Sequence, residues 1–181
     1  MNTRWNIETD AVLRRLDAAL ALIRTYRPRQ YRLLKRDVAG FVVQRYACRG
    51  AYFGHSRTCL VELTFLANAT MSNAQIAASI VHEATHARLD RLGLPLSGPA
   101  AERACRRAEI AFGRAVPDGA AVIARAEESL ALGDDDVAPD IDWALAQSRV
   151  AAADLRALPI PEGLKRTLAK KRGLPLDEAH D

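Results

Sequence analysis

Ser79-Ile80-Val81-His82-Glu83-Ala84-Thr85-His86-Ala87-Arg88-Leu89 sets how the rest of the chain is read. It holds two of the four histidines, four residues apart, with a glutamate directly after the first. On a helix, positions i and i+4 share one face, one turn apart. His82 and His86 could therefore offer two imidazole nitrogens to a single ion. Glu83 lies about 100° further round, near such an ion but off its ligand face. A carboxylate there can take a proton from a metal-bound water. The pattern is H-E-x-x-H, whose mechanical reading is zinc, one ion per chain, with Glu83 as general base. The competing reading is a pair of histidines on a solvated helix face. Ala84, Thr85 and Ala87 are small and uncharged, which suits burial of the helix at a metal.

The flanks make this a long helix. Ser72-Asn73-Ala74-Gln75 is a capping box, a serine with a glutamine three residues on. The helix should run to Leu92 and stop at Gly93, with Pro95 beyond. Ser97 and Pro99 mark the start of the next helix, which should run from Ala100 to Phe112 and close at Gly113. Gly93, Pro95 and Gly98 let the chain reverse, so the two helices can pack as an antiparallel pair.

A catalytic zinc usually takes three protein ligands. The metzincin arrangement needs a glycine and a histidine where this chain has Leu89 and Leu92, so it is excluded. A second arrangement takes a glutamate from the following helix. Glu102 fits it, 16 residues after His86 (102 − 86) and in the first turn of that helix. Glu109, on the same face, competes as ligand; alternatively it could hold a histidine by its second ring nitrogen. Asp90 continues the histidine face and is a third candidate, or a helix-end charge paired near Arg88 or Arg91. His55, in the Gly54–Arg57 turn, and Tyr46 or Tyr52 are candidates to stabilise an oxyanion. His180, in the tail, is read as inert.

On the N-terminal side, Asn6 or Thr9 can cap a helix with Glu8 and Asp10 at its positive end. Val12, Leu13, Leu16, Leu20 and Ile23 recur at helical spacing up to Tyr26, before Arg27-Pro28. From Tyr31 to Leu66 the pattern changes. Val38 to Tyr46 is β-branched and aromatic, and Val61, Leu63 and Phe65 alternate with Glu62 and Thr64. Two or three antiparallel strands are expected, one with an edge at which an extended peptide could add as a further strand. Past Gly113, helices are expected from about Gly119 to Leu132, from Ile141 to Leu158 with Trp143, Leu145, Val150 and Leu155 as apolar anchors, and from Glu162 to Arg172. A polar break, Gly133 to Asp136, separates the first of these from the others. The fold class is a helix-dominated α+β protein, with a core over residues 1–133 and a helical C-terminal appendage over 134–181.

The chain has 181 residues, 49% of them hydrophobic and 6% aromatic, enough for one core built mainly of aliphatic side chains. Its formal net charge of +4 allows acidic partners without demanding nucleic acid. Arg103, Arg106 and Arg107, and the Lys165–Arg172 run, come with no nucleic-acid motif and read as solvated faces. Cys48, Cys59 and Cys105 form no C-x-x-C pair, which suits a reducing compartment. The N-terminus has no apolar segment of the kind a secretory signal needs, and no run approaches a membrane span. A soluble, cytoplasmic protein with no membrane partner is expected.

His82-Glu83-Ala84-Thr85-His86 with the downstream Glu102 resembles the small gluzincin-type, or minigluzincin-like, zinc metallopeptidases. The resemblance spans about Asp37 to Gly113. It implies a zincin-like core: a helix, a small antiparallel sheet, and an H-E-x-x-H helix packed on a glutamate-bearing helix. It also implies zinc held by His82, His86 and Glu102, Glu83 as base, and a peptide or protein substrate. The chain departs from that pattern in the short spacing between its two motifs, and at Arg88, where an apolar residue is usual. It departs again at Cys105-Arg106, where Ala-Asp is common, so the usual acidic neighbour is missing. The function read from this is a zinc-dependent hydrolase of peptide bonds. A zinc-stabilised binding protein without turnover is the alternative. Peptide deformylase, which shares H-E-x-x-H but uses an upstream cysteine as ligand, would need Cys59 and lacks that family's flanking sequence.

Overall fold

The computed structural model describes residues 9–176. Along the chain it has α1 (Thr9–Tyr26), α2 (Pro28–Asp37), β1 (Gly40–Gln44), β2 (Gly50–Phe53), β3 (Thr58–Glu62), α3 (Leu63–Ala67), α4 (Asn73–Arg91), α5 (Pro99–Gly113), α6 (Ala120–Ala131), α7 (Asp134–Val137), α8 (Trp143–Ala157) and α9 (Glu162–Arg172). The helix-dominated α+β class is as expected. The described chain divides into two compact units, one running up to Gln44 and from Cys48 to Pro139, the other made of Arg45–Ala47 and the chain from Asp140 on. Short helix α7 belongs with the first. Among the described residues no helix is long and apolar enough to cross a membrane.

Helix α4 is the centre of the larger unit. Ser72 caps it as a full capping box with Gln75: Ser72 Oγ accepts from Gln75 N–H at 3.2 Å, and Gln75 Oε1 accepts from Ser72 N–H at 2.9 Å. Gly93, at φ +66°, follows its end. Buried residues lie on every face of the helix, from Ala74 through Ile76, Ile80 and Val81 to His86 and Ala87. Such a helix needs neighbours all round, and α1, α2, α5, β2 and β3 supply them. Its many alanines let those elements approach closely.

The sheet corrects the expectation of antiparallel strands. Its order is β1-β3-β2, with β2 antiparallel to β3 but β1 parallel to it. The sheet is therefore mixed, and β2 is an edge strand. Two further corrections lie nearby. Pro28–Asp37 is a helix with proline in its first turn, a start signal where only the end of the first helix was expected and no second helix was assigned. The strand expected to reach Leu66 ends at Glu62. There the carboxylate accepts from Phe65 N–H at 2.7 Å and from Thr64 Oγ1–H at 2.6 Å, and starts α3.

Helices α5 and α6 meet at two glycines. A Cβ on Gly119 would sit 1.8 Å from the Gly113 carbonyl oxygen, so only glycine permits this approach. The contact brings Arg125 of α6 over α5. In the smaller unit, Asp142 caps α8 through Leu145 N–H at 2.9 Å. Arg45 pairs with Asp154 at 3.2 Å, and Tyr46 stacks on Trp143. Leu155 is buried, but Trp143 and Leu145, expected as core anchors, are exposed.

Candidate metal centre

Helical spacing alone puts His82 and His86 on one face of α4, and α5 packs across that face. Four groups then converge. His82 Nε2 lies 3.2 Å from His86 Nε2. The carboxylate of Glu102 faces both, with one oxygen 3.3 Å from His82 Nε2 and the other 3.3 Å from His86 Nε2. Both histidines are 9% exposed. One turn further along α5, Cys105 is fully buried, and its sulfur belongs to a group with the two ring nitrogens within 4.8 Å of one another. His82, His86 and Cys105 could thus bind a metal ion. Cys105 was not foreseen; its place three residues after Glu102, on the same helix face, was the available signal.

The ring of His82 is held from behind. Its Nδ1 lies 2.7 Å from Glu109 Oε1. Glu109 is wholly buried, and it also accepts from Arg106 at 2.8 Å and Arg125 at 3.1 Å. Burial alone would raise its pKa, but the His82 hydrogen bond and the two guanidiniums hold it below the usual carboxylate range. An ionised carboxylate only accepts, so His82 Nδ1 must donate. Its Nε2 lone pair is then left facing the oxygen of Glu102. Glu109 fills the ring-holding role weighed against ligation, and supplies from α5 an acidic neighbour that position 106 does not.

Acceptor facing acceptor in a buried place demands a positive charge between them. Without an ion, the proton serves: burial opposes a charged His82, yet hydrogen bonds to Glu102 and Glu109 overcome it and push its pKa to about 9. Glu102 moves the other way. Burial raises it, but the hydrogen bonds to both histidines outweigh this and hold it far below the usual range. The same field that favours a proton here would favour a metal cation.

Glu83 is buried and stands apart from this triangle. Burial, partly opposed by the two histidines, raises its pKa. A Cβ on Gly50 would lie 3.0 Å from Glu83 Oε1 and 3.1 Å from Ser79 Oγ. Glu83 therefore projects to the start of edge strand β2, and the missing side chain at Gly50 makes room for it.

The remaining candidates fall elsewhere. Asp90 accepts from Tyr52 Oη–H at 2.8 Å. Burial and that bond push the Tyr52 hydroxyl up to about 12. Arg88 and Arg91 pair not with Asp90 but with buried Asp37, at 4.0 and 3.3 Å, which accounts for the arginine at position 88. His55 is exposed in the β2–β3 turn. Cys59 packs with Val38 and Ala87, outside the metal group. Arg103 donates to the Leu130 and Leu132 carbonyls and to Asp134, closing the end of α6. His180 lies outside the described residues. No protein-family model matches the chain, and no curated protein or solved structure matches it.

Proposed function

We propose that this protein is a zinc-dependent hydrolase of peptide or other amide bonds, with His82, His86 and Glu102 as ligands and Glu83 as general base. One observation carries the reading. The three contacts among His82 Nε2, His86 Nε2 and the Glu102 oxygens are 3.2, 3.3 and 3.3 Å. The edge of a tetrahedron whose centre-to-ligand distance is ~2.0–2.1 Å is about 3.3–3.4 Å; the histidine pair and the two Glu102 oxygens, one facing each ring, have separations compatible with that ion. Two imidazoles and a carboxylate are also the donor types of a hydrolytic zinc site, which keeps its fourth position open. Cys105, buried beside the two histidines, is the alternative third donor.

When bound, zinc supplies Lewis-acid polarisation of water and of the scissile carbonyl. The chain's own groups do the rest. Glu109 fixes the tautomer and the plane of His82. Glu83, whose basicity burial increases, takes the proton of the attacking water on its carboxylate and passes it to the leaving nitrogen. Edge strand β2, which begins beside Glu83, offers backbone groups to an extended peptide.

Glu83→Gln tests the reading. It should keep zinc and lose hydrolysis of a broad peptide library by ~10²-fold or more. A zinc-loaded wild type that cleaves nothing would favour the binding protein, and undiminished cleavage by the variant would remove Glu83 from the chemistry.

A further inference from the structure

The charges around Glu109 do not balance. This one carboxylate, already shared with His82, carries both Arg106 and Arg125. A third guanidinium, Arg49, on the residue before the glycine that meets Glu83, is within the electrostatic reach of Arg125, Arg106 and Glu109. Partial burial and then those two like charges lower its pKa. Arg49 has no acidic partner within ion-pair distance among the described residues; its guanidinium lies over the ring of Phe65, 5.4 Å from the centroid. Donors are in surplus as well, since Arg106 Nε is buried without a hydrogen-bond partner among the described residues. Two guanidiniums sharing one carboxylate with His82, and a third in their field, are unfavourable without a further anion. Glu83 and Glu102 do not supply it, because a divalent ion at the centre would offset their two charges.

Position gives the surplus a use. Arg49 directly precedes Gly50, where β2 begins beside Glu83. It is exposed, so its planar donors can reach a ligand, whereas Arg106 and Arg125 are committed to Glu109. We propose that Arg49, backed by Arg106 and Arg125, recognises a carboxylate on the substrate close to the scissile bond. A guanidinium can grip a carboxylate by two parallel hydrogen bonds. The carboxylate belongs either to the substrate's C-terminus or to an acidic side chain. This assignment rests on the hydrolase reading for the word substrate, but the binding it describes can be measured without turnover.

The test uses the full chain carrying Glu83→Gln, loaded with zinc, and fluorescent random hexapeptide pools. The pools come in four matched forms: free or amidated at the C-terminus, with or without Asp and Glu. By anisotropy, carboxylate-bearing pools should bind about tenfold tighter than the amidated neutral pool. Adding Arg49→Gln should reduce that preference to less than about twofold, and Arg49→Lys should restore part of it. An unchanged unfolding midpoint verifies that the exposed Arg49 site has not disturbed the fold. Preference confined to free C-termini, or to acidic side chains, supports the proposal and identifies the source. Equal binding of all pools, no binding, or a preference that survives Arg49→Gln overturns it. Cleavage of the same pools by the wild type is scored separately. A persistent Arg49-dependent preference without cleavage would remove the hydrolase reading and leave the arginine site standing.

Discussion

Asp37 and Glu109 are both carboxylates in the interior, and arginines surround both. Asp37, at the end of α2, meets Arg36 at 2.6 Å, Arg91 at 3.3 Å and Arg88 at 4.0 Å. Glu109 meets Arg106 at 2.8 Å, Arg125 at 3.1 Å and His82 at 2.7 Å. Their partners differ. The arginines around Asp37 keep 36–50% of their side-chain surface in water, so they can turn outward if the carboxylate is lost. Of the partners of Glu109, Arg125 is as exposed as Arg88, at 36%, but Arg106 is 22% exposed and His82 11%, and those two have no such escape. Asp37 ties α2 to the last turn of α4. Glu109 accepts from His82 Nδ1–H at 2.7 Å, and so reaches the candidate metal centre. A buried ion pair is structural or functional according to what lies behind it, and burial alone does not tell them apart.

The largest expected difference is in stability. Glu109→Ala leaves Arg106 uncompensated in the interior and should cost ~3–5 kcal/mol in urea unfolding, together with metal binding. Asp37→Ala should cost less, about 1.5–3 kcal/mol for lost charged hydrogen bonds, and leave metal stoichiometry intact. Equal costs, or zinc loss in the Asp37 variant, would break the contrast. Glu109→Gln sharpens it: the amide oxygen can still accept from His82 Nδ1, but the charge is gone. Zinc affinity, measured by chelator competition, should fall ~10–100-fold, whereas Asp37→Asn should leave it unaltered. An unchanged affinity in Glu109→Gln would reduce that residue to packing. The smallest effect is expected at Gly50. Gly50→Ala would put a methyl against Glu83 Oε1 and Ser79 Oγ; zinc should stay bound while hydrolysis falls by about tenfold, since misplacing a reacting group costs up to ~10²-fold. Loss of zinc in that variant would show that Glu83 and the ligands are not separable.

What could be read from the sequence was local. The serine–glutamine cap, the glycine stop and the four-residue histidine spacing of α4 each depend on one turn of helix, and each stands where it was expected. The approach of Glu102 to the histidine pair followed from one short reversal at Gly93–Gly98. Glu109 was legible only as a choice between two roles, because the rotation of α5 about its axis depends on Gly113, Gly119 and α6. Strand pairing was out of reach. Nothing within β1 announces that it runs parallel to β3, and Glu62 is not a residue that usually opens a helix. Pro28 carries a start signal, but a proline also ends a helix, and just after Tyr26 it reads as the stop of α1. Arg88 and Cys105-Arg106, read as departures from a pattern, acquire reasons only in three dimensions: Arg88 faces Asp37, Arg106 holds Glu109, and Cys105 lies beside the histidines.

Elemental analysis of the purified protein and its histidine variants decides whether α4 and α5 hold a metal. The wild-type chain should carry about one zinc, and His82→Ala or His86→Ala almost none after dialysis, with helical content retained. A wild type that takes up no zinc when it is supplied, or either variant holding a full equivalent, would contradict a metal centre there.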